Sequence, residues 1–183
     1  HLYQCSILGS ALVQSLEINA KPVIGLLNVG SEEFKGNDTI KNAGQLMQES
    51  KLNYAGFVEG DEMFNGSFDV IVSDGFAGNI ALKSIEGVAK LISHFIKTEF
   101  SKSIFTKLAA LISYPVMRAV KNKVDPRKYN GASLLGLQGV VVKSHGGADS
   151  YAFSQAINTA YYEVKNGILD KIESLVHSGG SDA

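Results

Sequence analysis

The chain has 183 residues, 45% of them hydrophobic, and a formal net charge of -1. These figures suit one globular domain with a substantial core and exclude a globally basic nucleic-acid binder. Cys5 is the single cysteine, so no internal disulfide can form, which fits a reducing compartment. No run of about 18 uninterrupted apolar residues is present to span a bilayer.

The chain opens on His1 rather than Met and passes directly into a helical pattern over residues 2–18, with Leu8, Leu12 and Leu16 spaced by four. No capping residue precedes that pattern, so the first residue is expected to be a cut end. Residues 23–28 (VIGLLN) read as a buried strand. A helix over 38–50 starts at Asn37 or Asp38, either a good N-cap. Residues 54–58 form a weaker strand and 69–73 (DVIVS) a strong one. The pattern over 79–100 predicts a long helix with Ile80, Lys83, Gly87, Leu91 and Phe95 along one side. Residues 103–123 are also helical by pattern, but Pro115 predicts a break or kink and two short helices in a hairpin. A further strand is expected over 138–143 (QGVVVK), then a helix over 148–166 bearing Phe153, Ile157, Ala160, Tyr161 and Val164, and a last helix over 168–177. Residues 178–183 are small and polar and are expected to be a frayed tail.

The strands are apolar throughout rather than alternating, which predicts cover on both faces, as in a parallel sheet. The order α-β-α-β-β-α-α-β-α-α predicts an α/β layered fold. It is expected as one domain over 1–177 with an amphipathic helical insertion at 100–124. Charge is uneven along it. Lys97, Lys102, Lys107, Arg118, Lys121, Lys123, Arg127 and Lys128 are opposed in that stretch only by Glu99 and Asp125, a local charge of +6 against -7 for the rest.

In parallel α/β sheets the working residues gather where strands end and helices begin. Three such junctions have unusual content. The first, residues 28–36, holds Asn28, Gly30 and Gly36 with two acids and a lysine, and reads either as a binding loop or as a solvated turn. The second is Ser73-Asp74-Gly75-Phe76-Ala77-Gly78-Asn79. Gly75 and Gly78 would let backbone N–H groups face an anion at a helix start, where the helix dipole favours it. An ordinary turn capped by Asp74 or Asn79 accounts for the same residues. Neither a dinucleotide fingerprint nor a Walker motif is present. The third is Lys143-Ser144-His145-Gly146-Gly147-Ala148-Asp149. Its Ser, His and Asp lie too close together for a hydrolase triad. A strand end can still present Ser144 and His145 side by side; alternatively Ser144 or Asp149 caps the next helix and His145 is merely exposed. No metal-ligand cluster is evident.

The blocks NVGSEEFKG, SDGFAGNIALKSIEG and YNGASLLGLQGVVVKSHGGADSYAF, in this order and at these spacings, closely resemble the phosphate:acyl-ACP acyltransferase family of bacterial fatty-acid and phospholipid synthesis. HLYQCSILGS looks like the segment that precedes the first block there, and the likeness runs from about residue 1 to residue 167. The resemblance implies an enzyme that takes inorganic phosphate and a long-chain acyl group from acyl carrier protein. It releases acyl phosphate for a membrane acyltransferase that acylates glycerol 3-phosphate. It also implies an α/β/α sandwich with a mostly parallel sheet, similar to phosphotransacetylases and the isocitrate dehydrogenase group. A homodimer without cofactor is implied, cytoplasmic but able to sit on the inner face of the cell membrane. The family has an N-terminal half with further glycine-rich and acidic motifs. This chain matches the C-terminal half, so part of the site is expected to be missing.

Acyl transfer from a thioester to phosphate needs an anion site, donors for the developing oxyanion and a proton for the leaving thiolate. Phosphate is the nucleophile, so no acyl-enzyme is required. Ser144 and His145 are the candidate catalytic pair. Asp74, Gly75, Gly78, Asn79, Asn28, Gly30, Lys83, Asn130 and Asp149 are candidate phosphate or substrate contacts, and Lys143 a further one. Phosphotransacetylases carry a similar Ser-Arg-Gly stretch at the matching strand end. Here His145 replaces the arginine, which removes a fixed positive charge and offers a proton for sulfur. In the basic segment, Phe105, Leu108, Leu111 and Ile112 are the candidate contacts with membrane or a dimer mate, unless they pack on a core of their own; acidic acyl carrier protein is a third partner for that patch. Two other readings stand beside this one. One is a non-catalytic lobe for dimerisation and membrane binding. The other is an oxidoreductase domain of the isocitrate dehydrogenase type, whose metal ligands and adenine loop are not evident here.

Overall fold

Strand β1 (Ile24–Leu27) lies between β2 (Tyr54–Val58) and β3 (Val70–Val72) in a three-stranded, fully parallel sheet, in a computed structural model that describes residues 1–179. Leu26 stands opposite Phe57 on one side and Val72 on the other. Two helices seal this sheet, α1 (Leu2–Ser15) and α2 (Asp38–Gln48). Leu2, Ala43 and Met47 join Ile24, Leu26 and Val72 in one buried cluster. Burying a side chain such as that of Met47 stabilises the fold by about 1.5–3 kcal/mol. Helix α2 starts where expected, with the Asn37 side chain accepting the Ile40 N–H at 2.9 Å.

Two glycines set how closely these layers meet. A Cβ on Gly9 of α1 would stand 2.7 Å from Val70 Cγ1, so the helix sits tight on β3. A Cβ on Gly25 of the central strand would stand 2.2 Å from Val58 Cγ2 and 2.8 Å from the Phe68 ring.

The chain divides into two compact units: His1–Asp74 with residues from Asn130 onward, and Gly75–Tyr129. In the first, a short antiparallel ladder of β4 (Ala132–Ser133) and β5 (Val142–Lys143) leads into helices α5 (Ser150–Lys165) and α6 (Ile168–Gly179). Gly167, at φ 62°, occupies the left-handed position that ends α5. The end of α1 is closed mostly by its own chain, Leu16, Glu17 and Ile18 N–H donating to Leu12, Gln14 and Val13 O; from the far end Asn166 Nδ2 donates to Ser15 O at 2.6 Å and Lys171 Nζ adds a bond to Gln14 O at 3.1 Å. In the second unit, α3 (Gly75–Ser101) and α4 (Ile104–Lys123) form a helical hairpin turned at Lys102 and Ser103. Ser103 and Thr106 cap each other at the start of α4. Neither helix buries a single residue.

The α/β class and the order of the main elements follow the pattern of the sequence, with differences that have physical reasons. The strand expected over 138–143 is a strand only at Val142–Lys143 and pairs with β4, outside the parallel sheet. A strand exists only where it finds a ladder partner, and β4 is two residues long. Helix α4 runs unbroken through Pro115, so the hairpin turn lies before it rather than within it. The carbonyl of Leu111, freed by the missing N–H, belongs to a residue that is 72% exposed, so solvent can satisfy it. The helical insertion expected at 100–124 is half of a longer unit that also includes all of α3. Finally, α6 reaches Gly179, two residues past its expected end, and the rest of the expected tail, 180–183, lies outside the described residues.

Gly25→Ala should lower stability by about 1–3 kcal/mol, the cost of overpacking a closed core. A shift of the urea midpoint without a change in slope would show it.

Candidate functional site

The turn after β5 is built around one amide. Asn130 Nδ2 donates to Ala152 O at 2.8 Å, and Asn130 Oδ1 accepts the His145 N–H at 2.9 Å. A carbonyl can only accept and an N–H can only donate, so these two bonds fix which way the amide faces. Its second Nδ2 hydrogen then falls on Ser144 Oγ, 2.9 Å away. Asn130 was a candidate substrate contact; both of its donor hydrogens and its acceptor oxygen are engaged within the protein.

Ser144 is therefore an acceptor toward Asn130, and its own hydrogen must point elsewhere. Among the described residues its one internal acceptor is the His145 carbonyl at 3.5 Å, beyond the usual O–H···O range. His145 is exposed, and its Nδ1 accepts the Gly147 N–H at 3.0 Å. The neutral ring then carries its proton on Nε2. Ser144 and His145, adjacent in the chain, are thus both left with a hydrogen to donate. Neither is set up as a base for the other, because Nδ1 is occupied and Nε2 is protonated. Asp149 is the N-cap of α5, its Oδ1 accepting the Ala152 N–H at 2.8 Å. That is the capping role the sequence left open.

Below the turn, the Ser133 hydroxyl of β4 donates to the carboxylate of Glu163, which is 2% exposed on α5. Glu163 escaped the sequence reading because acids on a helix read as solvent-facing. The available signal was its register: Ala152, Ala156 and Glu163 form the buried side of α5. The apolar stripe of Phe153, Ile157, Tyr161 and Val164 is instead 54–67% exposed.

The first junction organises itself. Asn28 is 7% exposed and its Nδ2 donates to Lys35 O at 3.1 Å. Gly36 has φ 89°, and a Cβ there would stand 2.3 Å from Asn28 Oδ1. Lys35 bonds Glu32 at 2.7 Å, and that hydrogen bond holds the Glu32 carboxyl below its ordinary range. Gly30 packs under this pair, with room for a side chain only if Lys35 moves. Asn28 thus closes its own loop at the carboxyl edge of the parallel sheet.

The second junction is helical rather than a loop: α3 begins at Gly75, so Gly75, Gly78 and Asn79 lie in its opening turns, with Asp74 just before. A Cβ on Gly75 would meet nothing within 4 Å. Lys83 is exposed on the same helix. The residues brought together by hydrogen bonds are thus Asn130, Ser144, His145 and the start of α5. Asn28 and Gly30 belong to a separate loop, and Gly75, Gly78, Asn79 and Lys83 to the second unit. Among the described residues, no group of three or more His, Cys, Asp or Glu is placed to hold a metal, and no helix is long and apolar enough to cross a membrane.

A three-stranded parallel sheet covered by helices, with a strand-end turn that holds a hydroxyl and an imidazole side by side, defines an α/β protein. The chain belongs to the fatty acid synthesis protein family, whose model matches residues 1–171. It is 53% identical over 178 residues to a phosphate acyltransferase of Alkalilimnicola ehrlichii, covering 97% of this chain and 52% of that protein. Its identity to the phosphate acyltransferase of Methylococcus capsulatus is 54% over 172 residues, 94% of this chain and 51% of the relative. For that of Legionella pneumophila the figures are 50% over 178 residues, 97% and 52%. The chain spans about half the length of the curated relatives it matches.

Asp149→Ala should lower the melting free energy by about 1 kcal/mol, the loss of one N-cap. Thermal unfolding at fixed pH measures it.

Proposed function

We propose that this chain is part of an acyltransferase that forms acyl phosphate from acyl-acyl carrier protein and inorganic phosphate in phospholipid synthesis. The observation that carries this reading is the paired donor turn of Ser144 and His145, within a chain half as long as relatives named phosphate acyltransferase. In the reaction a phosphate oxygen attacks the thioester carbonyl, the new C–O bond forms, and the C–S bond breaks. Negative charge builds on the carbonyl oxygen meanwhile. Ser144 O–H and His145 Nε2–H are the donors that stabilise it.

His145 has two conceivable duties, proton donor to sulfur or donor to the oxyanion, and the geometry favours the second. Nδ1 accepts the Gly147 N–H, so a proton placed there would break that bond, whereas Nε2 is left as the ring's donor. The leaving sulfur needs little help, since a thiol of pKa about 8.5 departs readily as thiolate. His145→Ala in the full-length enzyme should lower kcat by a factor of about 100 or more, as for loss of one oxyanion donor. His145→Gln, which keeps an N–H, should lose less. Near-parental activity in a folded Ala variant returns His145 to a surface role.

The same reading places the chain in an α/β/α sandwich similar to phosphotransacetylases and the isocitrate dehydrogenase group, within a homodimer. The opening turn of α3, with Asp74, Gly75, Gly78 and Asn79, remains a candidate anion site in its own right, supported by the helix dipole.

For the helical unit we propose contact with the inner face of the cell membrane, where a membrane glycerol-3-phosphate acyltransferase would take the product. Phe105, Leu111 and Ile112 are 80%, 72% and 82% exposed and Leu108 52%, beside a basic stretch. So much apolar surface beside positive charge suits an anionic interface. Each base adds about 1 kcal/mol near such a surface, weakened by salt. The full-length variant with Leu108→Glu and Leu111→Glu should stop floating with anionic liposomes while remaining folded. A variant that unfolds or turns monomeric would assign the segment to a core or a subunit interface. Comparing acyl phosphate formation by this chain and by the full-length protein separates the enzyme reading from a purely assembling lobe.

A further inference from the structure

The Asn130 amide contacts Ser144, His145 and α5 together. It bonds the Ser144 side chain, the His145 backbone and the Ala152 backbone, at 2.9, 2.9 and 2.8 Å. The two backbone partners are of opposite polarity, so the amide cannot turn over without losing both. The third bond inherits that direction. Ser144 can rotate its hydroxyl freely in isolation, and a serine beside an exposed histidine would by default share its hydrogen with the ring. Here Nδ1 of that ring is taken by the Gly147 N–H, and Ser144 Oγ is held by a donor.

We propose that Asn130 is a positioning residue which makes Ser144 an obligate donor: it fills the acceptor side of the hydroxyl and turns its hydrogen outward to the acyl or phosphate oxygen. Asn130 itself touches no substrate. This rests on the reading of Ser144 and His145 as the reacting site. Its content is directional. An asparagine at this position supplies two hydrogens and one acceptor, whereas an aspartate of the same shape supplies acceptors alone. In Asn130→Asp the His145 N–H keeps its partner, but the Ser144 hydrogen is drawn inward to the new carboxylate and is lost to the substrate.

The test is a double-mutant cycle in the full-length enzyme, with Asn130→Asp and Ser144→Ala made singly and together. kcat and KM for phosphate and for acyl-acyl carrier protein are measured, and melting temperatures are recorded alongside. Ser144→Ala should lower kcat/KM about 10- to 100-fold, the worth of one hydrogen bond to a charged oxygen. Asn130→Asp should lower it at least as far. Adding Ser144→Ala to Asn130→Asp should then change the rate by no more than about twofold, because the hydroxyl is already out of play. Effects that multiply, or a folded Asn130→Asp enzyme with parental kinetics, overturn the proposal while leaving the Ser144 reading intact. A Ser144→Ala enzyme with parental kinetics overturns both. If the charged variant does not fold, Asn130→Ala replaces it: without the amide the Ser144 hydrogen is no longer turned outward, so Asn130→Ala should lower kcat/KM when Ser144 is present and change it by no more than about twofold in Ser144→Ala; if neither variant folds, the amide is structural and the proposal fails.

Discussion

Strand β1 has backbone partners on both edges, and the rest of the first unit is arranged to keep it dry. Ile24 and Leu26 are completely buried between β2, β3 and the covering helices. A central parallel strand needs apolar cover on both faces, since its backbone is satisfied but its side chains are not. That requirement explains the glycines. Gly9 lets α1 approach β3, and Gly25 makes way for Val58 and Phe68. It also places the carboxyl ends of β1 and β3 at one edge of the sheet, where Asn28 closes its loop and α3 begins.

The turn at Ser144 obeys a different constraint. It is partly exposed, so its order comes from hydrogen bonds rather than burial. Three backbone groups around it, those of His145, Gly147 and Ala152, are matched by side chains of Asn130 and His145. Such matching removes the freedom that would let the hydroxyl and the ring bond one another. Two groups that chemistry often pairs as nucleophile and base are instead held as parallel donors. That suits a reaction in which the nucleophile arrives with the substrate and the protein's task is to stabilise charge.

Much of this was legible in the chain, for reasons that differ by element. Residues 23–28 and 69–73 announced themselves because a buried parallel strand is apolar at every position. Asn37 and Asp149 announced themselves because capping is a local matter of one oxygen and one N–H. Positions 138–143 misled because apolar β-branched residues satisfy propensity, while a strand also needs a partner that no local pattern reveals. Pro115 misled because its cost depends on whether the freed carbonyl can meet solvent, which is a question of exposure. In the candidate site, Ser144 and His145 stood out by type and position. The amide of Asn130, fourteen residues upstream of Ser144, stood out only within a longer resembling block, and its role depends on a fold that brings it back to the turn. Glu163 was hidden because an acid on a helix reads as solvent-facing, and its partner Ser133 lies thirty residues earlier.

Helix α1 carries a dependence of its own. Its last carbonyl, Ser15 O, accepts from Asn166, 151 residues away in sequence, and Gln14 O, already bonded by the Glu17 N–H, gains Lys171 from 157 residues away. Between those ends lies the whole helical unit, Gly75–Tyr129. During synthesis from the N-terminus, α1 and the parallel sheet therefore emerge long before the groups that finish α1, and the helical unit emerges in the interval. Contacts of such long range form slowly, since the loop must be closed before they repay it. The first unit thus gains these two bonds only after the helical unit has been made. Until then the last turn of α1 is held by its own N–H groups alone, and Ser15 O is left to solvent.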